Sequence, residues 1–116
     1  MLDWRLRVSK LELNDFVKYG ALFELYGKLL TGDRQKILAD YFQYNMTLAE
    51  IAKERNVSRQ AVLDAIAKSC KKLDEYEEKL KLNFQRLEIV EDLKQILNQT
   101  DDETIKQKVD NIIRKI

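Results

Sequence analysis

Across 116 residues the chain has no proline and only three glycines, Gly20, Gly27 and Gly32. Almost nothing interrupts a helix, whereas an all-β domain needs many turn residues, so the expected class is all-α. Hydrophobic residues make up 45% of the sequence and charged residues 35%. That is enough apolar surface to fold and too much for disorder. The length fits one domain with one core, extended at most by a helical appendage.

The inventory of reactive side chains is short. There is no histidine, and Cys70 is the single cysteine. The usual zinc and non-haem iron ligand sets cannot be assembled, and His-based triads are excluded. The acidic residues lie at helical-surface spacing among lysines, which is the pattern of a solvated face rather than of an acid/base pair. No catalytic residue, metal ligand or cofactor is therefore expected, and the chain is not read as an enzyme. One cysteine allows no internal disulfide, which fits a reducing compartment, and the thiol reads as free and half-buried. The first ten residues alternate apolar and charged side chains without a continuous run of signal-peptide length, and no segment is long enough to span a membrane. The expected localisation is cytoplasmic.

Phe16, Tyr19, Phe23, Tyr26 and Leu30 recur at intervals of three and four, joined by Leu22, Leu25 and Leu29. They predict a first helix with a wide apolar stripe. Thr31-Gly32-Asp33 ends it, with Gly32 suited to a left-handed position after the helix and Asp33 able to cap a second helix carrying Ile37, Leu38, Tyr41 and Phe42. The aromatic stripe is read as core rather than as a base-stacking platform, because a small domain must bury that face. Gly20 and Gly27 are expected to allow close helix approach. Leu2, Trp4, Leu6 and Val8 alternate like a strand without a ladder partner, so residues 1–15 are expected to form a flexible or loosely docked arm.

The most specific signal lies between residues 47 and 72. Thr47-Leu-Ala-Glu50 is a capping box that starts a short helix with Leu48, Ile51 and Ala52 inward, Ala52 being small where a second helix must cross. Asn56 can take the left-handed conformation of a tight turn, Val57 is expected to plug the corner, and Ser58 caps the second helix. On that helix Val62, Ile66, Ser69 and Leu73 form the core seam, while Gln60, Asp64, Ala67 and Lys71 point away. The outward set, flanked by Arg59, Leu63 and Lys68, would enter a major groove, with the helix N-terminus free to donate to phosphate. The charge distribution agrees: residues 47–72 hold six basic against three acidic side chains, whereas residues 73–116 hold eight against eleven. A helical hairpin that touches no DNA is the alternative.

Thr47-Leu-Ala-Glu-Ile-Ala-Lys-Glu-Arg-Asn-Val-Ser-Arg-Gln-Ala-Val62 resembles sigma-factor region four. With Leu22–Leu30 before it and Leu73–Leu80 after it, the chain is similar to the YlxM-like family of small bacterial helix-turn-helix proteins linked to the signal recognition particle. The likeness runs from about Phe16 to the C-terminus and is strongest over Val57–Val62. It implies a sigma region-four-like bundle and a DNA-binding or regulatory role in the signal recognition particle pathway. Two positions depart from the pattern. Sigma-like domains present basic or amide side chains where this chain has Leu63 and Asp64, and the YlxM-like pattern has an aromatic at Leu63.

Beyond the motif, Ile66, Leu73, Leu80 and Leu87 repeat every seven residues, so the second helix of the motif is expected to run on as a seam, with Asn83 a weak break. Ile89, Val90, Leu93, Ile96 and Leu97 predict another amphipathic helix, and Thr100-Asp-Asp-Glu103 reads as a second capping box before Ile105, Val109, Ile112, Ile113 and Ile116. The expected organisation is an arm (1–15), a helix-turn-helix domain (16–82) and a C-terminal helical extension (83–116). The extension carries more apolar surface than the core needs and packs within the chain, on a second copy as a homodimer, or on a protein partner.

Two functions follow. In the first, the protein binds duplex DNA weakly, with Ser58, Arg59 and Gln60 at the contact surface, Leu63 and Asp64 at the readout positions, Lys53, Arg55, Lys68, Lys71 and Lys72 toward phosphates, and Thr47 also among the nucleic-acid-binding residues. In the second, it is an interaction module for components of the signal recognition particle, with little or no specific DNA binding.

Overall fold

A computed structural model describes residues 13–116 as six α-helices and one 3-10 turn, with no strand among the described residues. Leu2, Trp4, Leu6 and Val8 of the expected arm lie outside the described residues. The chain forms two compact units, one ending at Leu80 and the other spanning Lys81–Ile116.

In the first unit, α1 (Leu13–Tyr26) is followed by the 3-10 turn Gly27–Leu29 and then by α2 (Gly32–Phe42). The cap of α2 differs from the one expected. Thr31, not Asp33, is the cap, its hydroxyl accepting from the Arg34 N–H at 3.4 Å, and Gly32 is the first helical residue with an ordinary negative φ. The 3-10 turn tightens the end of the first helix, and extended Leu30 carries the chain out of it, so no left-handed residue is required. The glycines also act otherwise than expected. A Cβ at Gly20 would meet nothing within 4 Å, and one at Gly27 would lie 2.7 Å from the ring of Phe23, a turn earlier in the same segment. Gly27 makes room for Phe23, and neither glycine serves an approach between helices.

The motif supplies α3 (Leu48–Arg55) and α4 (Arg59–Leu80). Helix α4 packs against α1, α2 and α3 and is the centre of the unit. Tyr19, Leu22, Tyr26, Leu38, Ile51, Val62, Ile66, Cys70 and Leu73 are almost wholly removed from solvent. Phe16, Tyr41 and Phe42 extend this core with ring centroids 5.1–5.8 Å apart, and burial raises the Tyr41 phenol above its ordinary pKa. The two buried tyrosines of α1 keep their polar tips satisfied. Tyr19 donates to Asp74 at 2.8 Å and Tyr26 to Glu77 at 2.7 Å, both across to α4. The aromatic stripe is thus core, as its spacing predicts, but Leu29, expected in the same stripe, lies in the 3-10 turn beyond α1 and is exposed.

Because three helices surround α4, its buried arc is wider than a single seam. Ala67, expected to face outward, is 3% exposed, and its small side chain fits the close crossing. Cys70 is likewise fully buried rather than half-buried and packs as a small apolar residue.

Helix α4 ends at Leu80, before the weak break expected at Asn83. Lys81 takes a left-handed conformation, φ 54°, and α5 (Leu82–Gln99) begins after it. The heptad seam therefore stops short: Ile66 and Leu73 are buried, but Leu80 and Leu87 are 49% and 60% exposed. In the second unit α5 packs against α6 (Glu103–Lys115). The cap of α6 is Asp102 rather than Thr100. Its carboxylate accepts from the Thr104 and Ile105 N–H groups at 2.8 and 3.3 Å, while Thr100 ends α5 with extended backbone. A carboxylate suits this place because it also meets the positive end of the helix dipole. Val109 is buried here, whereas Phe84, Leu87, Ile89, Ile96, Ile105 and Ile112 stay exposed. No helix among the described residues is long and apolar enough to cross a membrane.

Candidate nucleic-acid interface

The helix-turn-helix is held by local hydrogen bonds at both of its starts. Thr47 Oγ1 accepts from the Glu50 N–H at 3.1 Å and the Glu50 carboxylate accepts from the Thr47 N–H at 3.0 Å, so the capping box is closed on both sides. Those bonds to Thr47 hold the Glu50 carboxyl below the usual carboxylate range. Leu48, Ile51 and Ala52 turn inward and anchor α3. Asn56 then adopts φ 56°, ψ 45°, with its N–H donating back to the Ala52 and Lys53 carbonyls, and the Val57 N–H donates to Ala52 at 3.0 Å. This conformation is what lets the chain reverse within three residues. Val57 does not plug the corner. It is 46% exposed, and the buried side chains bracketing the turn are Ala52 and Val62. Ser58 Oγ accepts from the Ala61 N–H at 3.0 Å and starts α4.

The expected contact residues separate into groups. Ser58, Arg59 and Gln60 all stand exposed on the first turn of α4. One turn on, Asp64 is half-buried and accepts from Gln60 Nε2 at 3.2 Å, so the amide best placed to read a base edge is already engaged by the carboxylate beside it. Leu63 is half-buried and packs against the core, which makes it an edge of the hydrophobic cluster more than a surface residue. Thr47 and Lys53 are exposed on α3. Arg55 is not a free cation: it forms an ion pair with Asp33 in the first turn of α2 and ties α2 to α3.

Lys68, Lys71 and Lys72 are exposed further along α4. At 1.5 Å per residue they stand roughly 14 to 20 Å along the axis from Arg59, beyond the width of a major groove, about 12 Å. They border a cleft between the start of α2 and the middle of α4. Arg34 belongs to this region and carried no signal in the sequence. Its Nη1 donates to the Ala65 carbonyl at 3.0 Å and to Ser69 Oγ at 3.5 Å, a contact between residues more than thirty apart that only the packing of α2 on α4 creates.

Residues 13–112 match the UPF0122 family, described as "Putative helix-turn-helix protein, YlxM / p13 like". Similar proteins include a UPF0122 protein of Fusobacterium nucleatum subsp. nucleatum, 34% identical over 101 residues that make up 87% of this chain and 98% of the relative. One from Clostridium perfringens is 39% identical over 100 residues, 82% of this chain and 89% of the relative. Another, from Lacticaseibacillus casei, is 46% identical over 77 residues, covering 65% and 68%.

Proposed function

Since the chain belongs to the UPF0122 family of helix-turn-helix proteins, we propose that α3, its turn and α4 bind duplex DNA weakly and with little base selectivity, in the cytoplasm. The observation that carries this reading is the exposure of Ser58, Arg59 and Gln60 on the first turn of a helix held by a capped turn. That turn presents a cation, an amide and the positive end of a helix to the duplex. Arg59 supplies the main contact, with Thr47 and Lys53 toward one phosphate strand and Lys68, Lys71 and Lys72 toward flanking phosphates. Arg55 contributes by fixing α3.

Base reading is weak for a physical reason. Asp64 occupies Gln60 and repels phosphate, and a carboxylate favours only a cytosine amino group among base edges. Affinity should lie near the non-specific range, roughly micromolar or weaker at physiological salt, and fall steeply with salt. Fluorescence anisotropy on random and selected duplexes across a salt series tests this. Asp64→Gln should tighten binding to every duplex, and Arg59→Glu should weaken it. Nanomolar, sequence-selective binding that Asp64→Ala abolishes would refute the reading and make Asp64 a cytosine-reading residue.

A second reading, an interaction module of the signal recognition particle pathway, is supported by the exposed apolar side chains of α5 and α6 and by the YlxM-like resemblance. Removing residues 81–116 should then abolish self-association or partner capture while the first unit, which has its own core, stays folded. The same number of copies for both chains, from light-scattering masses divided by each chain's own mass, together with unchanged capture, would rule it out.

A further inference from the structure

The cleft between α2 and α4 has a volume of about 470 Å³, within the range of small-ligand sites, roughly 300 to 1,000 Å³. Four cations line it, Arg34, Lys68, Lys71 and Lys72, against one anion, Glu75. None of the three lysines has an ion-pair partner among the described residues, and Arg34 spends only Nη1 on protein acceptors. Four like charges converging on one concavity repel each other in the free protein, and a polyanion relieves that repulsion. A bare anion would leave the rest of the cleft unused, because its other wall is apolar. Leu29 is 56% exposed there, and Tyr76, packed on Tyr26 with ring centroids 6.0 Å apart, offers an aromatic surface beside it.

We propose that this cleft binds a nucleoside polyphosphate, with its phosphates on Lys68, Lys71, Lys72 and the free edge of Arg34 and its base against Leu29 and Tyr76. Glu75 sits on the same rim and can accept from a ribose hydroxyl or a base amino group. The site lies away from the first turn of α4 and its occupation needs no duplex, but it shares Lys68, Lys71 and Lys72 with the proposed flanking-phosphate contacts, so nucleotide and duplex compete for these three lysines.

The test is isothermal titration calorimetry of the full chain with ATP and GTP, with inorganic triphosphate and adenosine as comparison probes. Both nucleotides should saturate one site, triphosphate should bind about tenfold more weakly for want of the apolar contact, and adenosine should give no measurable binding. Lys71→Glu with Lys72→Glu should weaken ATP at least about tenfold, the loss expected for charge-assisted hydrogen bonds. Leu29→Ser should weaken ATP but leave triphosphate unchanged. Circular dichroism checks that the charge variants are folded, and Lys68→Gln alone, a milder change, should weaken ATP several-fold should the double variant not fold. No saturable binding at millimolar nucleotide, or binding indifferent to the lysine changes, overturns the proposal. So does triphosphate binding as tightly as the nucleotides, which would make the cleft a simple anion site.

Discussion

The turn of the helix-turn-helix rests on one residue, Asn56, and substitutions there should rank by how well they tolerate its conformation. At φ 56°, ψ 45° the backbone is left-handed, a region that costs an ordinary L-residue about 1–2 kcal/mol and that asparagine and glycine enter more readily. Nothing else needs to change on substitution, since Asn56 is exposed and its backbone N–H still reaches the Ala52 and Lys53 carbonyls. Asn56→Ala should therefore destabilise by about 1 kcal/mol, which lowers the melting temperature of a domain this size by about 4–8 °C. Asn56→Ile should cost more, because a branched Cβ crowds the carbonyl further. Asn56→Gly should be close to neutral, its relief of the left-handed cost offset by the larger freedom of glycine in the unfolded chain. Thermal melts followed by circular dichroism give the ranking. If Ala and Ile variants melt with the parent while Gly melts lower, the turn is not left-handed at this residue and the angle between α3 and α4 is set some other way.

Ile66 is wholly buried on the seam of α4, so Ile66→Asp, which buries an unpaired charge at a cost of several kcal/mol, should abolish the cooperative melt; exposed Lys71→Glu should leave stability within about 0.5 kcal/mol. The capping box makes a pH-dependent contribution. Glu50 has a folded pKa below its unfolded one, so its stabilisation is present above the unfolded value and is lost as pH falls through the folded value. Glu50→Gln should narrow the difference in melting temperature between neutral and strongly acid solution, and an unchanged difference would remove the carboxylate from the cap.

What could be read from the sequence was whatever depends on neighbours along one helix. The absence of proline gave the class, the three- and four-residue spacing of Phe16 to Tyr26 gave the core face of α1, and Thr47 with Glu50 gave the start of α3, since these signals lie within single helices. The failures depend on what packs from elsewhere. Ala67 is buried because α1, α2 and α3 all close on α4, so a face counted from one seam was too narrow. Arg55 meets Asp33 and Arg34 meets Ala65 across separations of 22 and 31 residues, which no local pattern encodes. The same limit applies to the interface: Ser58, Arg59 and Gln60 were legible as the first turn of a capped helix, but the engagement of Gln60 by Asp64 and the packing of Leu63 on the core became visible only in three dimensions.

Lys81 is the clearest case of a feature without a signature. Lysine is a good helix former, no glycine or proline lies near it, and yet it is left-handed and separates α4 from α5. Its effect on stability has a definite sign. If residue 81 is left-handed in solution, Lys81→Gly removes a cost of about 1 kcal/mol at that position and should raise the melting temperature or leave it unchanged. If instead α4 and α5 were one continuous helix, the same substitution would place glycine in a helix interior and lower stability by about 1 kcal/mol. Lys81→Ala serves as the control, because alanine shares lysine's poor tolerance of the left-handed region and its preference for helix. A glycine variant melting below the alanine variant would show that the chain does not break at Lys81, and the heptad from Ile66 to Leu87 would then regain its meaning as a seam.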